Sequence, residues 1–315
     1  MTDPRRSTLP PPLATWLQGI NTLSAQASAA GVLPTPALAR QALAGITRQF
    51  GGTGPELAQV TDITLPECPE IPLRLYDPAP GRPRPVLVYL HGGGHMAGSI
   101  AVYDSIVRRV AHHTGFRTVA VEYRLAPEFP YPQGLNDCLT VVRALPAWLQ
   151  QRGLWPRTGL VLAGDSGGGA LTASVTARSI GHPGLPVRGQ ILLYPSLDYT
   201  LSQASVHTNG QGYLLDSGRI RWYFDNYFQA GEDRHAASPL FMPATGLPPT
   251  LILTAGFCPL RDEGYAYADH LRAAGVACQH HNLPDMVHAY LNLHELAPQA
   301  CAQTYDLMAA WVKTL

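Results

Sequence analysis

A serine framed by glycines in Gly164-Asp165-Ser166-Gly167-Gly168, a glycine run at His91-Gly92-Gly93-Gly94, and a histidine at position 288 could together do covalent chemistry. The serine follows the apolar run Gly159 to Ala163 and precedes the helix-compatible stretch Ala170 to Ile180. That order predicts strand, tight turn and helix, with a hydroxyl at the apex. The flanking glycines permit a turn that most side chains would block, so Ser166 Oγ projects from the sheet end. The HGGG run follows a second apolar segment, Val86 to Leu90. Its amides, with no Cβ intervening, can approach a developing oxyanion, so Gly92, Gly93 and Gly94 are the expected donors. The amide of Gly167 joins them, because it opens a helix and is favoured by the helix dipole. An unactivated hydroxyl is a poor nucleophile and needs a base. His288, in Pro284-Asp285-Met286-Val287-His288-Ala289 after the last strand, is the candidate. His280 and His281 fall inside that strand and point to opposite faces, so no metal site is read there. Gly164 to Gly169 fits neither GxGxxG nor GxxxxGK[ST], and phosphate chemistry is a poor fit.

These residues need elements to hold them. Residues 1–50 read as helical material broken by Leu9-Pro10-Pro11-Pro12 and Leu33-Pro34-Thr35-Pro36; Pro36 suits the start of a helix over Ala37 to Gln49. From Gln59 the period changes, and Val60 to Leu65 and Ile71 to Tyr76 alternate as two edge-type strands. Beyond Pro85, apolar strands at 86–90, 118–122, 159–163, 189–194 and 250–255 alternate with helical patterns near 102–113, 136–151, 168–180 and 264–274. A strand around 276–283 and a helix from about Gln299 close the pattern. Strands apolar on both faces point to an α/β fold with a mostly parallel central sheet and helices on both sides. Between Pro195 and Thr250 lie more than fifty residues, including Tyr213, Trp222, Tyr223, Phe224, Tyr227 and Phe228. A structureless loop of that length is uncommon. The expected division is N-terminal helices contributing to a cap (1–50), a core (51–195 and 246–315), and a helical cap insertion (196–245) that lids the active-site end of the sheet.

Basic and acidic residues balance at 22 each, and only 14% of residues are charged, which leaves no basic face for nucleic acid. No apolar run approaches the roughly 18 residues needed to span a membrane. The first six residues lack the apolar core of a secretory signal. The scattered cysteines 68, 138, 258, 278 and 301 contain no CxxC pair. They read as free thiols in a reducing cytoplasm.

The motifs resemble the hormone-sensitive-lipase family of α/β-hydrolases, near the bacterial carboxylesterases and acetyl esterase. The matching pieces are His91 to Gly94, Tyr123-Arg124-Leu125-Ala126-Pro127-Glu128, Gly164-Asp165-Ser166, Leu193-Tyr194-Pro195, Pro259-Leu260-Arg261-Asp262-Glu263-Gly264, and His288-Ala289-Tyr290. The resemblance implies a capped α/β-hydrolase fold, no cofactor, and hydrolysis of small esters with short to medium acyl chains. It implies Ser166 as nucleophile, His288 as base, and a structural role for Tyr123 to Glu128 near the site. The family often pairs along its last strand, which leaves a homodimer open.

The chain departs from the family at one position. The family reads Asp-Pro-Leu, its aspartate being the triad acid, where this chain reads Cys258-Pro259-Leu260. A thiol is mostly neutral at pH 7 and is a weak acceptor for an imidazole N–H. Three readings stay open. Asp262, four residues on and on the same helix face, stands in as the acid; Glu263 fits less well, and Asp285 suggests turn structure. Alternatively, Ser166 and His288 work without a strong acid, slowly or at raised pH. In the third reading activity is lost and the pocket only binds, as in plant gibberellin receptors, which resemble this family. The expected activity is that of a serine carboxylesterase, with a small-molecule binding protein, amidase or lactonase as alternatives.

Overall fold

The computed structural model describes residues 3–315 apart from 82 and 157. Among these, one sheet contains β1 (Gln59–Ile63), β2 (Leu73–Asp77), β3 (Val86–Leu90), β4 (Arg117–Val121), β5 (Leu160–Asp165), β6 (Val187–Leu193), β7 (Thr250–Ala255) and β8 (Cys278–Leu283). Their order across the sheet is β1-β2-β4-β3-β5-β6-β7-β8. Only β2 runs antiparallel to its neighbours, β1 and β4; the pairs from β4 to β8 are parallel. This is the α/β-hydrolase arrangement expected from the alternating pattern.

The helices are α1 (Pro11–Ala29), α2 (Pro36–Phe50), α3 (Ile100–Thr114), α4 (Gln133–Gln151), α5 (Gly167–Ser179), α6 (Ser205–Thr208), α7 (Ser217–Tyr227), α8 (Arg234–Ala237), α9 (Arg261–Ala273) and α10 (Pro298–Val312). Strand alternation explains the layers. Leu87 and Tyr89 of β3 pack with residues of α3 and α10, whereas Val86, Val88 and Leu90 pack with residues of α4 and α5. α9 covers the same side as α5, with Tyr267 and Leu271 against Leu192 and Ile252. Every residue of β3, β4, β5 and β7 is buried, as strands covered on both faces require.

The parallel strands bring distant residues to one edge. Leu90 at the end of β3 lies opposite Gly164, Asp165 opposite Leu193, and Ala255 opposite Leu283. The loops carrying Gly92 to Gly94, Ser166, Cys258 and His288 therefore all leave the carboxyl edge of the sheet, where α/β folds place their ligands. The segment between β6 and β7 contains α6, α7, α8 and a 3₁₀ turn at Pro239–Phe241. α2 begins at Pro36, and its first-turn amide at Leu38 is capped by the Thr35 hydroxyl. Arg40 fastens α2 to the core, donating to the carbonyls of Met96 and Ala126 and forking onto Glu128.

Candidate active site

Ser166 stands at the end of β5 with φ 54° and ψ −121°, a conformation that turns its hydroxyl away from the sheet. The close turn demands glycine at 168, where a Cβ would run into the carbonyl oxygen of Leu90. Ser166 Oγ lies 2.8 Å from His288 Nε2. The imidazole is buried, and the Tyr194 ring meets it edge-on at 5.1 Å between centroids.

The other imidazole nitrogen meets sulfur. His288 Nδ1 and Cys258 Sγ are 3.1 Å apart, and the Leu260 amide donates to the same sulfur at 3.3 Å. Cys258 is fully buried, and burial pushes its thiol well above the ordinary range, so the group is neutral. Burial likewise lowers His288 to about 3. The ring is therefore a neutral, weakly basic imidazole. The Leu260 N–H disposes the sulfur to accept, which favours a proton on Nδ1 and a lone pair on Nε2 facing Ser166. The opposite tautomer, with the thiol donating to Nδ1, would put a proton on Nε2 and block the serine.

Asp262 does not take the acid position. Its Oδ1 accepts from Arg5 and Arg261, each at 2.9 Å, and its amide is held by Ser205 Oγ at 3.0 Å. Helical spacing from Cys258 does not apply, because α9 begins only at Arg261, and two guanidinium groups hold the Asp262 carboxylate instead. Glu263 is also committed: Oε2 accepts from the amides of Leu197 and Asp198 at 2.6 and 3.0 Å, fixing the loop after β6. Asp285 makes no hydrogen bond to His288 among the described residues.

The glycine run divides in its use. The Gly92 N–H is spent on Asp165 Oδ1 at 2.8 Å, which removes it from the expected oxyanion donors. Gly93 adopts φ 121°, and a Cβ there would collide with the carbonyl of Ala97. A Cβ on Gly167 would lie 3.3 Å from the Gly94 amide nitrogen, so these backbones converge beside Ser166. The Gly167 amide is in the first turn of α5 and has no intrahelical acceptor. Gly93 and Gly94 donate to no backbone acceptor among the described residues. Such amides suit a transient oxyanion. Tyr123, in the stretch expected to be structural, stacks on His91 at 4.4 Å and donates to the His91 carbonyl at 2.6 Å.

Asp165 has a role that motif reading passed over. Besides Gly92, it accepts from Tyr89 and Tyr103 at 3.1 Å each. Burial raises its carboxyl to about 7, with those three hydrogen bonds working in the opposite direction. A carboxylate ending an apolar strand was the available signal, since it must find donors when buried.

A cavity of about 120 Å³ opens onto Ser166 and His288. α2 contributes Leu43 and Ile46 to its walls, and α7 contributes Ile220, Tyr223 and Phe224. Among the described residues no group of His, Cys, Asp and Glu side chains could hold a metal ion.

Comparison with known proteins agrees with this geometry. A family model for the alpha/beta hydrolase fold matches residues 87–292. The chain is 37% identical over 271 residues to the carboxylic ester hydrolase LipN of Mycobacterium tuberculosis, covering 82% of this chain and 71% of that protein. It is 33% identical over 307 residues to an ethyl acetate hydrolase of Pseudomonas putida, covering 93% and 95%. A solved ester hydrolase from the metagenome of Lake Arreo, complexed with a bipyridine phosphonate derivative, superimposes with a TM-score of 0.85. It shares 31% identity, covering 96% of this chain and 98% of that one.

Proposed function

The chain belongs to the alpha/beta-hydrolase family, among its hormone-sensitive-lipase-like carboxylic ester hydrolases, and from that premise we propose that Ser166 and His288 cleave small esters through an acyl-enzyme. The observation that carries this reading is the 2.8 Å approach of Ser166 Oγ to His288 Nε2 at the floor of an apolar cavity. Ser166 Oγ attacks the ester carbonyl carbon while its proton passes to Nε2. The oxyanion is held by the amides of Gly93, Gly94 and Gly167. As the carbon–oxygen bond to the alcohol breaks, Nε2 returns the proton to the departing oxygen. Water then gives a proton to Nε2 and attacks the acyl group; Ser166 regains that proton and the carboxylic acid leaves.

In this reading Cys258 occupies the place of the acid and acts as a neutral acceptor for Nδ1–H. It orients the ring but contributes little charge against the imidazolium. Loss of an acid at this position costs about 10⁴-fold, or about 5.5 kcal/mol of barrier. The enzyme is accordingly slow at neutral pH. The cavity is on the scale of the ~150 Å³ that admits benzene in a protein interior, so acyl groups are short.

α1, α2 and residues 196–245 form the cap over this cavity, supported by the walls from α2 and α7. Among the described residues no helix is long and apolar enough to cross a membrane. The free cysteines, four of them buried, support a reducing cytoplasmic setting. β8 is one of the two edges of the sheet and offers a strand for pairing two copies.

A fluorophosphonate probe tests the assignment. Mass spectrometry should find the adduct on Ser166, and Ser166→Ala should remove both adduct and ester hydrolysis. A folded protein that stays unlabelled and hydrolyses no short-chain ester would leave only the binding-protein reading, which the neutral thiol favours.

A further inference from the structure

The segment Asp3 to Ser7 lies across the two loops that carry Cys258 and His288. On the histidine side, the Ser7 amide donates to the Pro284 carbonyl at 2.8 Å, and Asn282 Nδ2 donates to the Arg5 carbonyl at 2.9 Å. On the cysteine side, Asp3 pairs with Arg261 at 2.8 Å and Arg5 with Asp262 at 2.9 Å. Arg261, only 1% exposed, also donates to the Gly256 carbonyl at 3.0 Å. Arg6 adds a bond to the Thr208 carbonyl at 2.7 Å, with its guanidinium 5.4 Å from the Phe257 ring centroid. The backbones of the two loops are joined directly by Gly256 N to Leu283 O and Phe257 N to Met286 O, at 2.8 and 2.9 Å.

A carboxylate at position 258 would hold the imidazole by a charge-assisted hydrogen bond, which a neutral thiol does not supply. Orientation of His288 then depends on how firmly the two backbones are kept together. We propose that Asp3 and Arg5 are positioning residues. Acting through Arg261 and Asp262, they make the N-terminal segment a brace that sets the separation of Cys258 from His288. This role rests on the assignment of His288 as the base. It also gives Asp262 a place in the site as an anchor for the brace.

The test is a cycle: Asp3→Asn with Arg5→Met, made in the wild-type chain and in Cys258→Asp. In the wild-type chain the pair should lower kcat about 10- to 100-fold with KM within about twofold, as expected for a misplaced base. Amide hydrogen exchange at residues 256–258 and 285–288 should accelerate. In the Cys258→Asp background the same pair should cost less than about threefold, because the charged bond restores the ring. Equal losses in both backgrounds would overturn the proposal, as would unchanged exchange or a lower Tm with unaltered kcat. If the double substitution prevents folding, Arg5→Met alone removes the Arg5 pairs to Asp262 and Asp3, leaves Asp3 on Arg261, and is read in the same way. Exchange does not depend on turnover. An unlabelled Ser166 would therefore remove the esterase reading, while the grip of the segment on the loops is still measured.

Discussion

The Cys258 sulfur stands 3.1 Å from His288 Nδ1, so the histidine that faces Ser166 is backed by a neutral thiol. No carboxylate among the described residues hydrogen-bonds to that imidazole. This relationship sets the expected chemistry of the site more sharply than the presence of the serine does.

Cys258→Asp should raise kcat at pH 7 on a short-chain p-nitrophenyl ester, by up to about 10⁴-fold. The carboxylate would accept Nδ1–H with full charge and retain the Leu260 amide as a second donor. An unchanged or lower kcat in a folded variant would mean that the loop does not deliver the new carboxylate to Nδ1.

The wild-type pH profile should keep climbing above pH 9. Ionisation turns the sulfur into an anion that stabilises the imidazolium, and burial raises the pH at which this occurs. Cys258→Ala should show no such limb. Stability has the opposite sign. With its folded value raised, Cys258 contributes stability present below the ordinary thiol range and lost as pH rises toward the folded value. Tm should therefore fall while kcat climbs, which paired measurements on wild type and Cys258→Ala would show.

Asp262→Asn should lower kcat by less than about tenfold. The amide oxygen can still accept from Arg5 and Arg261, whereas loss of a true triad acid costs about 10⁴-fold. A drop of that larger size would return Asp262 to the catalytic group.

Asp165→Asn tests the support beneath the glycine run. The folded carboxyl is raised to about 7 by burial. Its contribution is fully present below about pH 4, the ordinary carboxyl value, and is lost as pH rises through 7. The Tm of wild type relative to Asp165→Asn should decline over that interval and then level off. A difference independent of pH would show that the carboxyl does not titrate there.

Much of this was legible in sequence for physical reasons. Apolar runs buried on both faces identify parallel strands such as 86–90 and 250–255, and glycine spacing identifies the turn at Ser166. His288 was legible from its place after the last strand. Other features depend on tertiary partners. Gly92 carries the same motif letter as Gly93, yet its amide is consumed by a carboxylate 73 residues away. Asp262 reads as one helical turn on from Cys258, but α9 begins only at Arg261, and Arg5, 257 residues before Asp262, holds its carboxylate. Helical spacing gives proximity along one element; it does not show which cation arrives from elsewhere.

The Arg40 tether has a dynamic consequence. α2 walls the cavity above Ser166, and Arg40 binds the Met96 carbonyl in the loop that begins with Gly92 to Gly94. Any swing of α2 wide enough to admit or release a substrate must stretch that bond. A displacement of α2 would thus be passed directly to the glycine run. A single guanidinium therefore couples the wall of the cavity to the loop beside Ser166.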